Sequence, residues 1–381
     1  MSGPLRVLHI ASFSGNIGDN ANHMGFRPWF EAQAGVPVQW TALEIREFYW
    51  RERQWDEALV AFINTHDLLV IGGGNYFELW VEHSPTGTSI AIEPDLFDTI
   101  NVPVFFNALG VDPGQGVPDV CRQRFTNFLD QLFDAQRVLV SVRNDGAKEN
   151  LRHHIGGAYA DRVHSLPDHG FFVPLPDKSA AAGHRQLAIN LACDMSETRF
   201  AGFENQAGFA REMASLMSAL AAQHPTLRFC LVPHIFRDLE IISETISHLD
   251  DRLRRTRLTV ASYGAGDDAA RQTLSLYRSA DLVLGMRFHA NVCPMALGTP
   301  VLGLNCYPQI EKLYEGLGLT DRLVSVGQPG FAPEAVQFAS KVLADPGPYL
   351  RQTDEALAHV REERAALEPH LRAWLASQIN P

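Results

Sequence analysis

The segment SADLVLGMRFHANVCPMALGTPVLGLN, residues 279–305, decides the architecture of this chain. Asp281–Met286 is an apolar run of strand length, and Pro300–Asn305 is a second. Between them His289–Leu297 reads as a helix, so the segment is one strand–helix–strand unit, the building block of a parallel sheet.

The same alternation extends outward. Upstream lie strands Leu187–Leu191, Arg228–Pro233 and Leu258–Ser262, with helices Phe209–Gln223 and Ala269–Ser279 between strands. Further upstream the segment Pro174–His184 holds two prolines, a lysine and the low-complexity run Ser179–Gly183, which marks a linker with its boundary near Pro176–Arg185. Before it the pattern recurs: strands Leu5–Ala11, Leu68–Ile71, Val102–Leu109 and Val138–Val142, with helices Trp55–Asn64 and Arg122–Phe133. After residue 348, Leu357, Val360, Ala365, Leu367 and Leu371 recur at helical spacing. The expectation is an α/β fold of two doubly wound, Rossmann-like domains, 1–176 and 185–347, facing across a cleft. A terminal helix, 348–381, then packs back on the first domain.

Bulk composition narrows the function classes. The 381 residues are 46% hydrophobic and 20% charged, the composition of an ordinary globular protein. With 32 basic and 44 acidic residues the net charge is -12, which argues against wrapping nucleic acid or lying on an anionic membrane. Five scattered cysteines without a CxxC pair give neither a zinc ribbon nor a redox motif. The opening MSGPLRVLHIASFSG lacks the apolar length of a signal peptide, and no stretch approaches a membrane span. A cytoplasmic location is expected, with the oligomeric state left open.

In open α/β sheets, ligands bind outside the carboxyl ends of the strands, so the residues just past each strand matter most. After the first strand, Ser12–Asn20 contains Gly15, Asn16, Gly18 and Asp19. This is either an anion-facing turn or an ordinary turn with a helix cap. After Leu68–Ile71 come Gly72, Gly73 and Gly74, which either bring backbone N–H groups to an anion at a helix N-terminus or form a plain loop. After Val138–Val142 stands Arg143, whose forked guanidinium suits a carboxylate or phosphate, the competing reading being an ion pair with Asp145 or Asp168. In the second half, His234, Arg237 and Asp238 follow one strand. Arg287 and His289 follow another, with His289 opening a helix.

These pieces in this order resemble the polysaccharide pyruvyl transferase family. The resemblance rests on Gly15–Asp19, Ile71–Gly74, Ser141–Asp145, Pro167–Phe171, Pro233–His234, Ser279–Asp281, Arg287–Ala290 and Gly298–Val301, and covers roughly Val7 to Leu319. It implies phosphoenolpyruvate as donor and a sugar diol as acceptor, joined as a pyruvate ketal with release of phosphate. His289 is then the acid and a donor ligand, and Asp19 the base. Arg143 and Arg287 take the two anionic groups, and His234, Arg237, Gly73, Gly74 and Asn16 complete the donor-binding set. No metal and no cofactor beyond the donor substrate is implied. Where the family usually carries Tyr-Asp-Pro-Lys, this chain reads Cys306-Tyr307-Pro308-Gln309, with Lys312 three residues on.

Two alternatives stay open: a GT-B-type glycosyltransferase that uses a nucleotide sugar, and a non-catalytic sugar-binding relative. Trp29, Phe48, Tyr49, Trp50, Tyr76, Phe77 and Trp80 are either a stacking surface for a sugar acceptor or core.

Overall fold

In the computed structural model, residues 3–176 and 184–379 are described. The run Ser179–Gly183, and with it most of the expected boundary segment 176–185, lies outside the described residues. By contacts the chain forms two compact units. The first comprises the described parts of Met1–Phe13, Phe26–His169 and Val360–Pro381, and the second comprises Ser14–Gly25 and the described parts of Gly170–His359. The division thus falls at Gly170 and inside the Ile17–Ala34 helix, whose first turns belong to the second unit.

The first unit holds a six-stranded parallel sheet. Its strands run in the order Val38–Glu44, Leu5–Ala11, Leu68–Gly72, Val104–Leu109, Val138–Val142, His164–Ser165. Leu68–Gly72 and Val104–Leu109 are buried at every position, as expected of central strands covered by helices on both faces. Leu367, Leu371 and Leu375 of the Gly347–Ile379 helix share a core with Leu5, Val7, Phe26 and Phe30. Each such leucine contributes about 1.5–3 kcal/mol by leaving water. Trp29 Nε1 donates to Glu368 across this contact, at 3.0 Å.

The second unit holds another six-stranded parallel sheet, in the order Leu258–Val260, Arg228–Leu231, Gln186–Asn190, Leu282–Gly285, Val301–Asn305, Leu323–Ser325. In chain order this is 3-2-1-4-5-6, the Rossmann arrangement. Its strand order reverses between Gln186–Asn190 and Leu282–Gly285, and ligands collect at such a reversal.

Several elements depart from the sequence reading. Val38–Glu44 is an edge strand with only one buried residue, so it lacks the continuous apolar run of the central strands. Leu323–Ser325 is three residues long. Ile17–Ala34 is a full helix despite Pro28 within it. The three glycines after Leu68–Ile71 do not open a helix; the chain runs on into Phe77–Glu78, which pairs with Val111–Asp112 as a small parallel ribbon. Among the described residues, no helix is long and apolar enough to cross a membrane.

Candidate functional site

The carboxyl ends of the second unit's strands bring a set of charged and polar side chains together. Asn190 ends the first strand of this sheet and is fully buried. Its Oδ1 accepts from the Arg287 backbone N–H at 2.9 Å, and its Nδ2 donates to the Val232 carbonyl at 2.9 Å. One carboxamide therefore fixes three strand ends at the reversal point.

Arg287 is the N-cap residue of the Phe288–Ala296 helix. Asn291 shapes this turn by donating to the carbonyls of Gly285 and Arg287, at 3.0 and 2.8 Å. Gly285 is required here, because a Cβ on it would lie 2.5 Å from the Ala290 carbonyl oxygen. The turn directs the Arg287 guanidinium to two carboxylates. Nε donates to Asp238 Oδ2 at 2.8 Å, and Nη2 donates to Asp194 Oδ1 at 2.6 Å and to Asp238 Oδ1. Burial opposes the charge on Arg287, but Asp238 and Asp194 outweigh it and raise its pKa. The sequence reading gave Arg287 a charge for an anionic ligand; the structure gives that charge two internal partners.

Asp238 is fully buried at the start of the Asp238–Ser247 helix and also accepts from the backbone N–H groups of His234 and Ile235, at 2.8 and 3.2 Å. It therefore positions the loop that carries His234. The His234 ring is buried, its Nε2 is 2.6 Å from the Tyr277 hydroxyl, and its Nδ1 has no hydrogen-bond partner among the described residues. Burial, with the nearby Arg287 and His289, lowers its pKa well below the ordinary value, so the imidazole is neutral near pH 7. Arg237 is exposed.

His289 lies in the first turn of the Phe288–Ala296 helix and is 6% exposed. The Gly18 backbone packs against its imidazole. The same turn joins the cluster through Ile17, whose N–H donates to the His234 carbonyl at 3.3 Å. Asn16 Oδ1 accepts from the Gly18 N–H at 3.0 Å, so this side chain caps the start of the helix. Asp19 is half-buried in the first turn of that helix.

Two members of the cluster were not singled out from the sequence. Asp194 follows the Gln186–Asn190 strand and is held by Arg199, which donates from Nη2 to Asp194 Oδ2 at 3.4 Å. Burial pushes the Asp194 carboxyl up, but Arg287 and Arg199 more than reverse this and hold it below the ordinary carboxylate range. Arg199 also donates to Cys306 Sγ at 3.4 Å and lies over the Tyr307 ring. The Cys306–Gln309 segment, which departs from the family pattern, thus borders this cluster through its first two residues.

The other predicted residues belong to the first unit. Arg143 is 4% exposed and its guanidinium meets Asp145 Oδ2 at 2.6 Å and Asp168 Oδ2 at 3.4 Å, so the ion-pair reading describes its side chain. The two glycines are explained by backbone conformation and by packing, respectively. Gly73 adopts φ 87°, and a Cβ on Gly74 would strike the Tyr76 ring. Of the candidate stacking aromatics, Trp29 and Phe77 are core, while Tyr49 and Trp50 are exposed at 85% and 49%. Among the described residues no group of three or more His, Cys, Asp or Glu side chains is placed to hold a metal ion.

A sequence profile for polysaccharide pyruvyl transferase matches residues 15–306, which is most of the chain and includes every member of the second-unit cluster. The chain belongs to the polysaccharide pyruvyl transferase family. This pyruvyl transferase family member is a transferase of GT-B-like fold. It is similar to HepE of Anabaena in complex with UDP and glucose, with a TM-score of 0.55 and 14% identity over 98% of this chain and 100% of that one. UDP-GlcNAc 2-epimerase from Neisseria meningitidis bound to UDP-GlcNAc gives a TM-score of 0.55 and 10% identity, covering 97% and 100% of the two chains. MnaA of S. aureus with UDP gives 0.54 and 12% identity, covering 92% and 90%. No curated protein sequence matches the pyruvyl transferase family member significantly.

Proposed function

We propose that this enzyme transfers the enolpyruvyl group of phosphoenolpyruvate to two hydroxyls of a sugar in a glycan or glycan precursor. The product is a pyruvate ketal, and phosphate is released. Two C–O bonds form at carbon 2 of the donor as its bond to the phosphate oxygen breaks. One of the two hydroxyl protons is balanced by the proton that converts the donor methylene to a methyl group, and the other leaves with phosphate.

One observation carries this reading: His289 lies in a helix first turn beside Arg287, at the strand-order reversal of a chain that belongs to this family. A helix N-terminus favours anionic groups, and the imidazole supplies a movable proton next to it. His289 is the acid toward carbon 3, and His234 supplies a neutral imidazole to the same cluster. Asp19, in the Ile17–Ala34 first turn beside Gly18, is the base toward an acceptor hydroxyl. Release of phosphate from phosphoenolpyruvate in the presence of candidate sugar acceptors tests the reading directly. His289→Ala should abolish acceptor-dependent phosphate release; full activity in that variant would reject the assigned role.

A second reading has one observation in its favour. HepE and MnaA hold UDP in their complexes, and this chain carries neutral Gln309 where its family usually has lysine. A nucleotide-sugar glycosyltransferase fits both facts. Thermal stabilisation by UDP with none by phosphoenolpyruvate would favour it.

A further inference from the structure

Two guanidiniums of the second unit converge on one carboxylate. Asp194 Oδ1 lies 2.6 Å from Arg287 Nη2, and Oδ2 lies 3.4 Å from Arg199 Nη2. The two arginine side chains are 12% and 9% exposed, whereas the Asp194 side chain is 26% exposed. Arg287 has a second partner, Asp238, that is fully buried and also ties down two backbone N–H groups. Asp238 is therefore the fixed counter-charge, and Asp194 is the member of the cluster that faces water.

The charge balance follows from this arrangement. Two arginines and two carboxylates sum to zero, and withdrawing Asp194 leaves one net positive charge presented by two planar forks. Such forks match the oxygens of a carboxylate or a phosphate. Cys306, at 3.4 Å from Arg199, does not supply a competing anion, because burial keeps its thiol protonated. The turn that carries Asp194 is itself strained: Met195 adopts φ 57°, a left-handed conformation that side chains other than glycine adopt at a cost.

We propose that Arg199 and Arg287 form an anion-binding site whose place is held by the Asp194 carboxylate, and that a ligand's carboxylate or phosphate displaces Asp194 when it binds. The identity of the ligand rests on the function proposed above, in which the anion is a group of phosphoenolpyruvate; the diphosphate of a nucleotide has the same chemistry. Held in this way, Asp194 lowers the observed affinity by the fraction of molecules in which it occupies the site, and it rejects neutral ligands that cannot compete for the two forks.

Isothermal titration of the full chain with phosphoenolpyruvate, UDP and inorganic phosphate tests this, comparing the unmodified protein with Asp194→Asn, Asp194→Glu and Asp194→Asn/Arg199→Gln. Removing the competing carboxylate in Asp194→Asn should tighten binding of the site's ligand about tenfold. Asp194→Glu should bind as the unmodified protein does, and the double variant should lose the gain. Asp194→Ser repeats the test if the asparagine variant does not fold. Binding of all three ligands no tighter in these variants than in the unmodified protein overturns the proposal. A gain with UDP and not phosphoenolpyruvate keeps the site and rejects the donor assigned above. A gain with phosphoenolpyruvate but no turnover keeps the site and rejects the transfer reaction, and a gain with inorganic phosphate alone keeps the site and removes both larger ligands.

Discussion

The imidazole of His289 rests against the backbone of Gly18. A Cβ built on that glycine would lie 2.5 Å from Nδ1 and 2.7 Å from Cγ of the ring. Gly18 is not among the positive-φ residues, so the position asks for glycine because of space rather than backbone conformation. The family's glycine-containing turn after the first strand thereby has a physical role, since it lets a helix start pack directly on the histidine.

Gly18→Ala is therefore expected to displace the His289 ring while leaving the fold intact. Alanine is the better helix former, and the overpacking costs about 1–3 kcal/mol. Acceptor-dependent phosphate release should fall about 100-fold, the effect of misplacing a reacting group by roughly 1 Å. A folded variant with unchanged kcat would show that the ring position does not matter.

His234 gives a pH dependence of stability. Its folded pKa is depressed well below 6.5, so between that value and 6.5 the unfolded chain binds the proton and the folded chain does not. Stability contributed by the neutral ring is present above the unfolded pKa and is lost as pH falls below it, by up to about 1.4 kcal/mol per pH unit. Other histidines titrate too, so the informative quantity is the difference between the unmodified protein and His234→Gln. Urea unfolding at several pH values should show the unmodified protein losing more stability than the variant from pH 6.5 downward. Parallel curves would mean that His234 is not held neutral.

Asp238 is the counter-charge whose removal should cost most. Asp238→Ala leaves Arg287 buried with only Asp194 and strips the acceptor from two backbone N–H groups. Breaking a buried pair in this way destabilises by about 3–5 kcal/mol. Urea unfolding should report that loss, together with loss of phosphate release. A change below about 1 kcal/mol would mean that the Asp238 pairing is dispensable.

Much of the fold was legible because central parallel strands must be apolar along their whole length. Leu5–Ala11 and Val138–Val142 coincide with the strands read from sequence. Val38–Glu44 was not legible, since an edge strand keeps polar residues, and Leu323–Ser325 is too short to give a pattern. At the site, the residues just beyond the strand ends included His289, Arg287 and His234. The same logic extended past Leu187–Leu191 reaches Asp194, three residues further on. What sequence alone could not give was the pairing. Arg287 and Arg143 each read as a charge available to a ligand, and only the packed structure shows which carboxylates each one faces.

Arg143 provides the sharpest test of that distinction. Its side chain is 4% exposed, as is that of Asp145, while Asp168 is fully buried. Arg143→Leu would leave both carboxylates in the core without their guanidinium, a loss of about 3–5 kcal/mol at pH 7. An arginine that serves only to hold a substrate anion behaves differently: its removal weakens donor binding and leaves unfolding unchanged. Urea unfolding of the two proteins at pH 7 separates these outcomes, and a variant as stable as the unmodified protein would return Arg143 to the substrate.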